Sequence, residues 1–319
     1  MVFARILLTL AAAAALANAS AQPYPSKPLK LVTPFPPGGS ADVIARVVAQ
    51  KLSEGFGQPV VVDNRGGAGG LVGTEYAAKQ PPDGYTLVLI TGAYPVQAAM
   101  LKSMPFDPLT DVAMVSLLTS YPFVISVRAD SPFRSLGDLI ATAKANPGKL
   151  NYPSSGIGTV HHLSGELLNA MAGIDMTHVP FRGGASPLTE VLGGRVDLLL
   201  EAMTLSIGQI QSGKLRALAV TSRERWKALP NVPSVAETVP GYEVNSFIGL
   251  GASGGTPREI VERLNAEVRK ALASPDTRQR LVDLGGEPGA SSPDEMKGFI
   301  EREIAKWREL IAARRIEKQ

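Results

Sequence analysis

The chain has 319 residues, 45% of them hydrophobic and 19% charged, with no cysteine and a formal net charge of +3. That composition predicts a packed globular protein with room for two domains, and it excludes a disulfide framework or a cysteine-borne lipid anchor. So small a charge gives no basis for a nucleic-acid partner or for adhesion to an anionic membrane.

Arg5, the apolar run Ile6–Leu16 and the small residues Ala19-Ser20-Ala21 before Gln22 read as a cleavable signal peptide over residues 1–21. No later apolar run approaches the ~20 residues of a membrane span.

The mature chain opens with apolar Leu31 and Val32, then PFPPGGS, then ADVIARVVAQKL. Ile44, Val47, Val48 and Leu52 recur at helical spacing, Ser40 stands where an N-cap is wanted, and Asp42 falls in the first turn. This predicts a strand, a Gly-rich loop and a helix whose first N–H groups face open space, an arrangement that suits an anion. Taken alone, a plain strand-to-helix turn explains the stretch equally well. Val60–Val62, a helix over Leu71–Lys79 and TLVLI (Thr86–Ile90) complete a β-α-β-α-β run, which predicts a parallel, doubly wound sheet. Ligands bind such sheets at the carboxyl ends of the strands, where PFPPGGS and Thr91–Pro95 lie.

Strands are expected at Phe123–Val127, Asn151–Tyr152, Met176–Val179, Asp197–Leu200, Leu215–Thr221 and Ser246–Leu250. Helices are expected at Leu136–Ala145, Val160–Met171, Pro187–Leu192 and, after Thr256-Pro257, Arg258–Ala273. A last helix carries the stripe Phe299, Ile300, Ile304, Trp307 and Ile311. Crossings near Tyr121–Val127 and Leu218–Ser222 divide the chain. Residues 22–122 with 222–319 form one α/β domain, and residues 123–221 form a second, inserted one.

Three segments share one design. PFPPGGS, PSSGIGT (Pro153–Thr159) and PFRGGAS (Pro180–Ser186) each follow a strand, are rich in Gly and Ser, and feed a helix. Facing one another across a cleft, they would hold an anion without a buried cation and its desolvation cost. None has the Gly-Lys-Ser/Thr of a phosphate loop, and Gly156-Ile157-Gly158 lacks the third glycine of a dinucleotide fingerprint.

Enzyme readings are weaker. Gly251–Gly255 matches G-x-S-x-G, but His161, His162 and His178 all precede Ser253, whereas that fold places its His after the Ser. His162 and Glu166 share a helix face without a third metal ligand. One of His161 and His162 is expected to touch ligand. Glu201, at a strand end, either meets a hydroxyl or cationic group of a ligand or sits on a solvated rim. Arg182 either pairs with a second ligand carboxylate or is simply exposed. Tyr94, Phe181 and Phe247 offer an apolar wall, unless they pack the core.

The stretch YPSKPLKLVTPFPPGGSADVIARVVAQKL, with PDGYTLVL, MPFDPLTD, NYPSSGIGTVHHLSGELL, HVPFRGGASPLTEVLGGRVDLL and GKLRALAVTS, resembles the Bug family, periplasmic substrate-binding proteins of tripartite tricarboxylate transporters. The likeness covers essentially the whole mature chain. It implies two α/β domains joined by two crossing strands, a type II periplasmic-binding-protein architecture. It also implies a periplasmic monomer without cofactor or metal. The implied partners are a small carboxylate ligand and a membrane permease of one large and one small subunit. Carried over by motif, the ligand-binding residues are Pro36, Gly38, Gly39 and Ser40, then Ser154, Ser155, Gly156, Gly158 and Thr159, and the Phe181–Ala185 loop with Phe181, Arg182 and Gly183. To these the residue-by-residue reading adds Ala93, Tyr94, His162, Glu201 and Phe247. Ala93-Tyr94 and Glu201-Ala202-Met203 stand where relatives often carry small hydroxyl, Asn or Asp-plus-polar residues. That departure points away from a citrate-like ligand and toward one with an apolar or aromatic body and one carboxylate. Two alternatives remain: a sensory module for a signalling partner, and a secreted hydrolase using Ser154 or Ser253 with His162.

Overall fold

The computed structural model describes residues 24–313 and 318; the expected signal peptide lies outside them. In chain order the first elements are β1 (Leu29–Thr33), α1 (Ser40–Phe56), β2 (Val60–Asn64), α2 (Leu71–Ala78), β3 (Thr86–Thr91), α3 (Ala93–Met100) and β4 (Val112–Arg128). Then come α4 (Leu136–Ala145), β5 (Asn151–Ser154), α5 (Val160–Ala172), β6 (Thr177–Pro180), α6 (Ser186–Leu192), β7 (Leu199–Ala202), α7 (Met203–Gln211) and β8 (Leu215–Val220). The chain closes with β9 (Asn245–Ser253), α8 (Arg258–Ala273), α9 (Pro275–Asp283), β10 (Glu287–Pro288) and α10 (Pro293–Ala313).

The first sheet runs in the order β2-β1-β3-β9-β4-β10. β1 pairs parallel with β2 and β3, as the alternating strand–helix pattern predicts. β9 and β4 then extend it antiparallel. Alternation along these strands supplies two apolar faces. Leu29, Leu31, Leu87 and Leu89 join Ile44, Val48 and Leu52 of α1 and Leu264 and Val268 of α8 in one core. Val32, Val88 and Ile90 face the other way, onto Ala77, Met296, Ile300 and Ile304. Helices thus cover both faces. Only Phe123–Val127 of the long strand β4 was legible as a strand, because its bulges at Met114/Ser116 and Leu117/Thr119 break the alternation upstream.

β4 is the first crossing. Its Val112–Pro122 half pairs with β9, and its Phe123–Arg128 half pairs antiparallel with β7 and β8. β5 and β6 pair parallel beside them. Residues 222–244 contact both sides of the crossing: Val220 bridges Ser234, Thr221 Oγ1 donates to Val244 O at 2.6 Å and the Tyr242 hydroxyl donates to Ser164 O at 3.0 Å, while Trp226 Nε1 donates to Gly285 O at 2.8 Å. The chain re-enters the first sheet at Asn245. Apolar Val235, Val239, Tyr242 and Val244 are buried, but they fall in irregular backbone whose pattern carries no period.

Among the described residues no helix is long and apolar enough to cross a membrane.

Candidate functional site

β1, β3, β5 and β7 all end at one place, and the helices that follow them start there. The starts of α1 (Gly39, Ser40, Ala41), α3 (Gly92, Ala93), α5 (Thr159, Val160, His161) and α7 (Ala202) line a small cavity of about 40 Å³. Phe35, Tyr121, Phe123, Ser155, Gly184, Glu201 and Ser246 complete its wall. Adjoining it at Ser155, a wider groove of about 710 Å³ runs between Gly66–Leu71, Gln97 and Met100 on one side and Ser155–Gly158 and Pro180–Arg182 on the other.

The helix starts differ in whether their N–H groups are already used. α1, α3 and α7 have no side-chain cap, whereas the Thr159 side chain of α5 accepts from His162 N. An uncapped start leaves its first N–H groups without intrahelical partners, and the helix dipole adds partial positive charge there. The N-cap of α1 is Gly39; Ser40, expected there, is the first helical residue. Asp42 does not face the cavity. Its carboxylate turns back to accept from Gly38 N at 3.1 Å, Arg46 Nε at 3.1 Å and Asn64 Nδ2 at 3.0 Å. Burial alone would raise this acid, but those hydrogen bonds from Arg46, Gly38 and Asn64 outweigh it and hold the carboxyl below its ordinary value.

On the far wall, His161 Nε2 lies 2.8 Å from Glu201 Oε1, which also accepts Ala202 N–H at 2.8 Å. The His161 ring stands edge-on to Phe123 with centroids 4.7 Å apart. Tyr121 pairs with Ser246 across β4 and β9; burial first, and Glu201 as well, push its phenol above the ordinary range, with Ser246 and Ser40 partly offsetting them.

The jaws touch through glycines. A Cβ on Gly39 would sit 3.2 Å from Gly184 Cα, and one on Gly156 would sit 3.4 Å from Gly69 Cα. Gly39 has φ −87°, so its need to be small is a matter of space, not of backbone conformation.

The expected residues therefore divide. Gly39, Ser40, Ala93, Ser155, Thr159 and Glu201 meet in the inner cavity. Pro36, Ser155, Gly156, Gly158, Phe181 and Arg182 line the outer groove. Six do not line either space. Gly38 serves Asp42. Tyr94 is 3% exposed, donates its hydroxyl to Pro108 O at 2.6 Å and packs on Phe106. Phe247 is buried against Phe299. Ser154 Oγ accepts Gly156 N–H at 3.1 Å and lies 2.6 Å from His178 Nε2, deep in the second unit. His162 stacks on His178 at 4.2 Å, so His161 is the cavity histidine. Gly183 contributes only its close approach to the Phe35 ring. Tyr94 and Phe247 were misplaced because the aromatic positions of a two-faced sheet look alike in sequence whichever face they serve. Tyr121, Phe123 and Ser246 were missed as site residues. No pattern singles them out, since β4 also carries Ser116, Thr119 and Ser120 and β9 carries Asn245 and Ser253.

Ser253, the candidate elbow nucleophile, is fully buried in β9, and its hydroxyl donates to Ala77 O at 3.0 Å. Among the described residues no group of three His, Cys, Asp or Glu side chains is placed to hold a metal.

A family model described as a tripartite tricarboxylate transporter family receptor matches residues 44–316. The chain belongs to that family. It is a binding protein of the Bug and tricarboxylate-receptor group, with the two-domain α/β fold of its solved members. A protein from the tcbD-tcbE intergenic region of Pseudomonas sp. strain P51 is 40% identical over 317 residues, covering 98% of this receptor and 94% of its own length. The periplasmic binding protein BugD superposes with TM-score 0.89 at 33% identity, over 93% of this receptor and all of its own chain. An R. palustris protein solved with adipate gives TM-score 0.88 at 38% identity, covering 91% of this receptor and 98% of its own chain. MatC from Rhodopseudomonas palustris, solved with malate, gives TM-score 0.86 at 31% identity, covering 90% of this receptor and all of its own chain.

Proposed function

We propose that this receptor works in the periplasm, binds a small carboxylate in the inner cavity, and passes it to the permease subunits of a tripartite tricarboxylate-type transporter as a non-enzymatic monomer. The observation that carries the reading is the convergence of the uncapped starts of α1 and α3 on one cavity with no Lys or Arg in its wall. Free N–H groups at the positive ends of two helices hold a carboxylate, and no fixed cation has to be desolvated. The adipate and malate held by two neighbours agree with a carboxylate ligand.

The mechanism is closure. Two units, residues 29–122 with 245–313 and residues 123–244, rotate about β4 and the β8–β9 connection. A ligand touching Gly39 and Ser40 on one side and Ser155 and His161 on the other stabilises the closed form by its differential contacts. The glycine contacts let the jaws shut, and the closed surface is what a permease reads.

The hydrolase reading is not favoured, because Ser253 donates to a backbone carbonyl in the core and Ser154 is engaged by its own loop. The test is a thermal-shift and calorimetric screen of the mature chain against mono-, di- and tricarboxylates. A ligand at ~100 times its Kd adds about 2.7 kcal/mol to stability. A chain stabilised by none of them, or only by uncharged esters of the same acids, would overturn the reading.

A further inference from the structure

We propose that this receptor selects, among small carboxylates, those that carry a hydrogen-bond donor at the end remote from the carboxylate, an amine or a primary amide, and that Glu201 makes the selection. The inference rests on the carboxylate reading above and adds the chemistry of the ligand's other end.

Glu201 is the one Asp or Glu in the wall of the inner cavity, it is 2% exposed, and no Lys or Arg lies in that wall. Its Oε1 is spoken for by His161 Nε2 and by Ala202 N–H. Its Oε2 takes no hydrogen bond from the described residues, and it is not among the sealed interior atoms that lack a partner, which leaves it to the cavity that Glu201 lines. The carboxylate cannot swing away freely. His161 holds one oxygen, and the His161 ring is itself fixed edge-on against Phe123.

The cavity wall therefore carries two kinds of group. The uncapped starts of α1 and α3 present N–H donors. The start of α7 is uncapped too; Glu201 holds the N–H of its N-cap residue Ala202 and adds its second carboxylate oxygen to the wall as an acceptor. A ligand's first carboxylate suits the N–H donors. A second carboxylate would face Glu201 with no Lys or Arg in the wall to offset it, whereas an N–H donor finds an acceptor already oriented. Sites built to pair a polar group discriminate strongly against analogues that lack it. Phe35, Tyr121 and Phe123 supply an apolar middle. Arg182, which could have received a second carboxylate, lines the outer groove instead.

The experiment is isothermal titration of the full mature chain at neutral pH with two length-matched series. One comprises adipate, adipic monoamide, 6-aminohexanoate and hexanoate. The other comprises succinate, succinamate, 4-aminobutanoate and butanoate. The expected result is that, in at least one series, the amide or amine binds at least tenfold tighter than the dicarboxylate. In Glu201→Gln that preference falls at least tenfold, while Glu201→Asp retains part of it. A dicarboxylate that binds tightest in both series, or a ranking unchanged in a folded Glu201→Gln chain, overturns the proposal. If Glu201→Gln does not fold, the wild-type ranking alone decides. Binding by no member of either series to a chain with a normal melting transition overturns the carboxylate reading itself, a result distinct from a wrong ranking.

Discussion

Two loops that look alike do different work. PFPPGGS and PSSGIGT both leave a strand, both carry Gly and Ser, and both feed a helix. In the first, α1 starts without a side-chain cap, and its one nearby acid, Asp42, is turned inward to brace Gly38 and Asn64. In the second, Thr159 caps α5, Ser154 bonds its own loop, and His162 and His178 stack behind it. One jaw spends its side chains on bracing and leaves backbone donors unused. The other uses its donors internally and offers shape, together with His161. Similar sequence at a strand-to-helix turn therefore predicts the turn but not the recognition role, because that role depends on which N–H groups the local side chains have already satisfied.

The largest expected effect breaks the donor jaw. Gly39→Pro removes an N–H and drives a ring toward Gly184, and it is expected to weaken ligand binding about a hundredfold, some 2.7 kcal/mol, while the circular-dichroism melt stays cooperative. Unchanged affinity in this variant would equate the two jaws. Gly39→Ala separates space from donor. Its backbone is ordinary for alanine and only the Gly184 contact is tight, so a loss of about tenfold in affinity is expected with the unliganded melting temperature unaltered.

Acid should act on the other jaw. Burial, reinforced by neighbouring His162, lowers the pKa of His178 to about 4, and burial lowers that of His162. The folded state therefore prefers both rings neutral. Their contribution to stability is present above the ordinary value near 6.5 and is lost progressively as pH falls through 6.5 toward 4. His162 Nδ1 accepts Gly158 N–H at 3.4 Å, and protonation removes that acceptor. Melting temperature and affinity are thus expected to fall together below about pH 6, and His178→Gln should flatten the profile. An unchanged profile in that variant would remove the pair from the argument.

Smaller effects sharpen the same contrast. Thr159→Ala strips the α5 cap and should cost about 1 kcal/mol of stability, read by urea unfolding. Tyr94→Phe loses the bond to Pro108 O and should cost roughly 1 kcal/mol while leaving ligand ranking untouched. A changed ranking would return Tyr94 to the binding wall.

The local pieces were legible from the chain itself. The short apolar run TLVLI and the 3.6-residue stripe of ADVIARVVAQKL suffice for a parallel β-α-β start, since both patterns are properties of neighbours along the chain. The Gly-rich turns, and their position at the carboxyl ends of strands, follow from the same local rules. Long-range pairing decided the rest. β9 inserts antiparallel between β3 and β4, so Phe247 meets Phe299 while Ser246 and Tyr121 reach the cavity. Residues 222–244 lack periodicity, and only the structure shows that they contact β8 and α5 as well as Gly285. His161 rather than His162 faces the ligand space because the rotation of α5 is set by Tyr152 and His178 packing beneath it. Sequence fixes which residues lie beside one another along an element. Which of them share a cavity depends on register and rotation between elements far apart in the chain, and those are settled by packing.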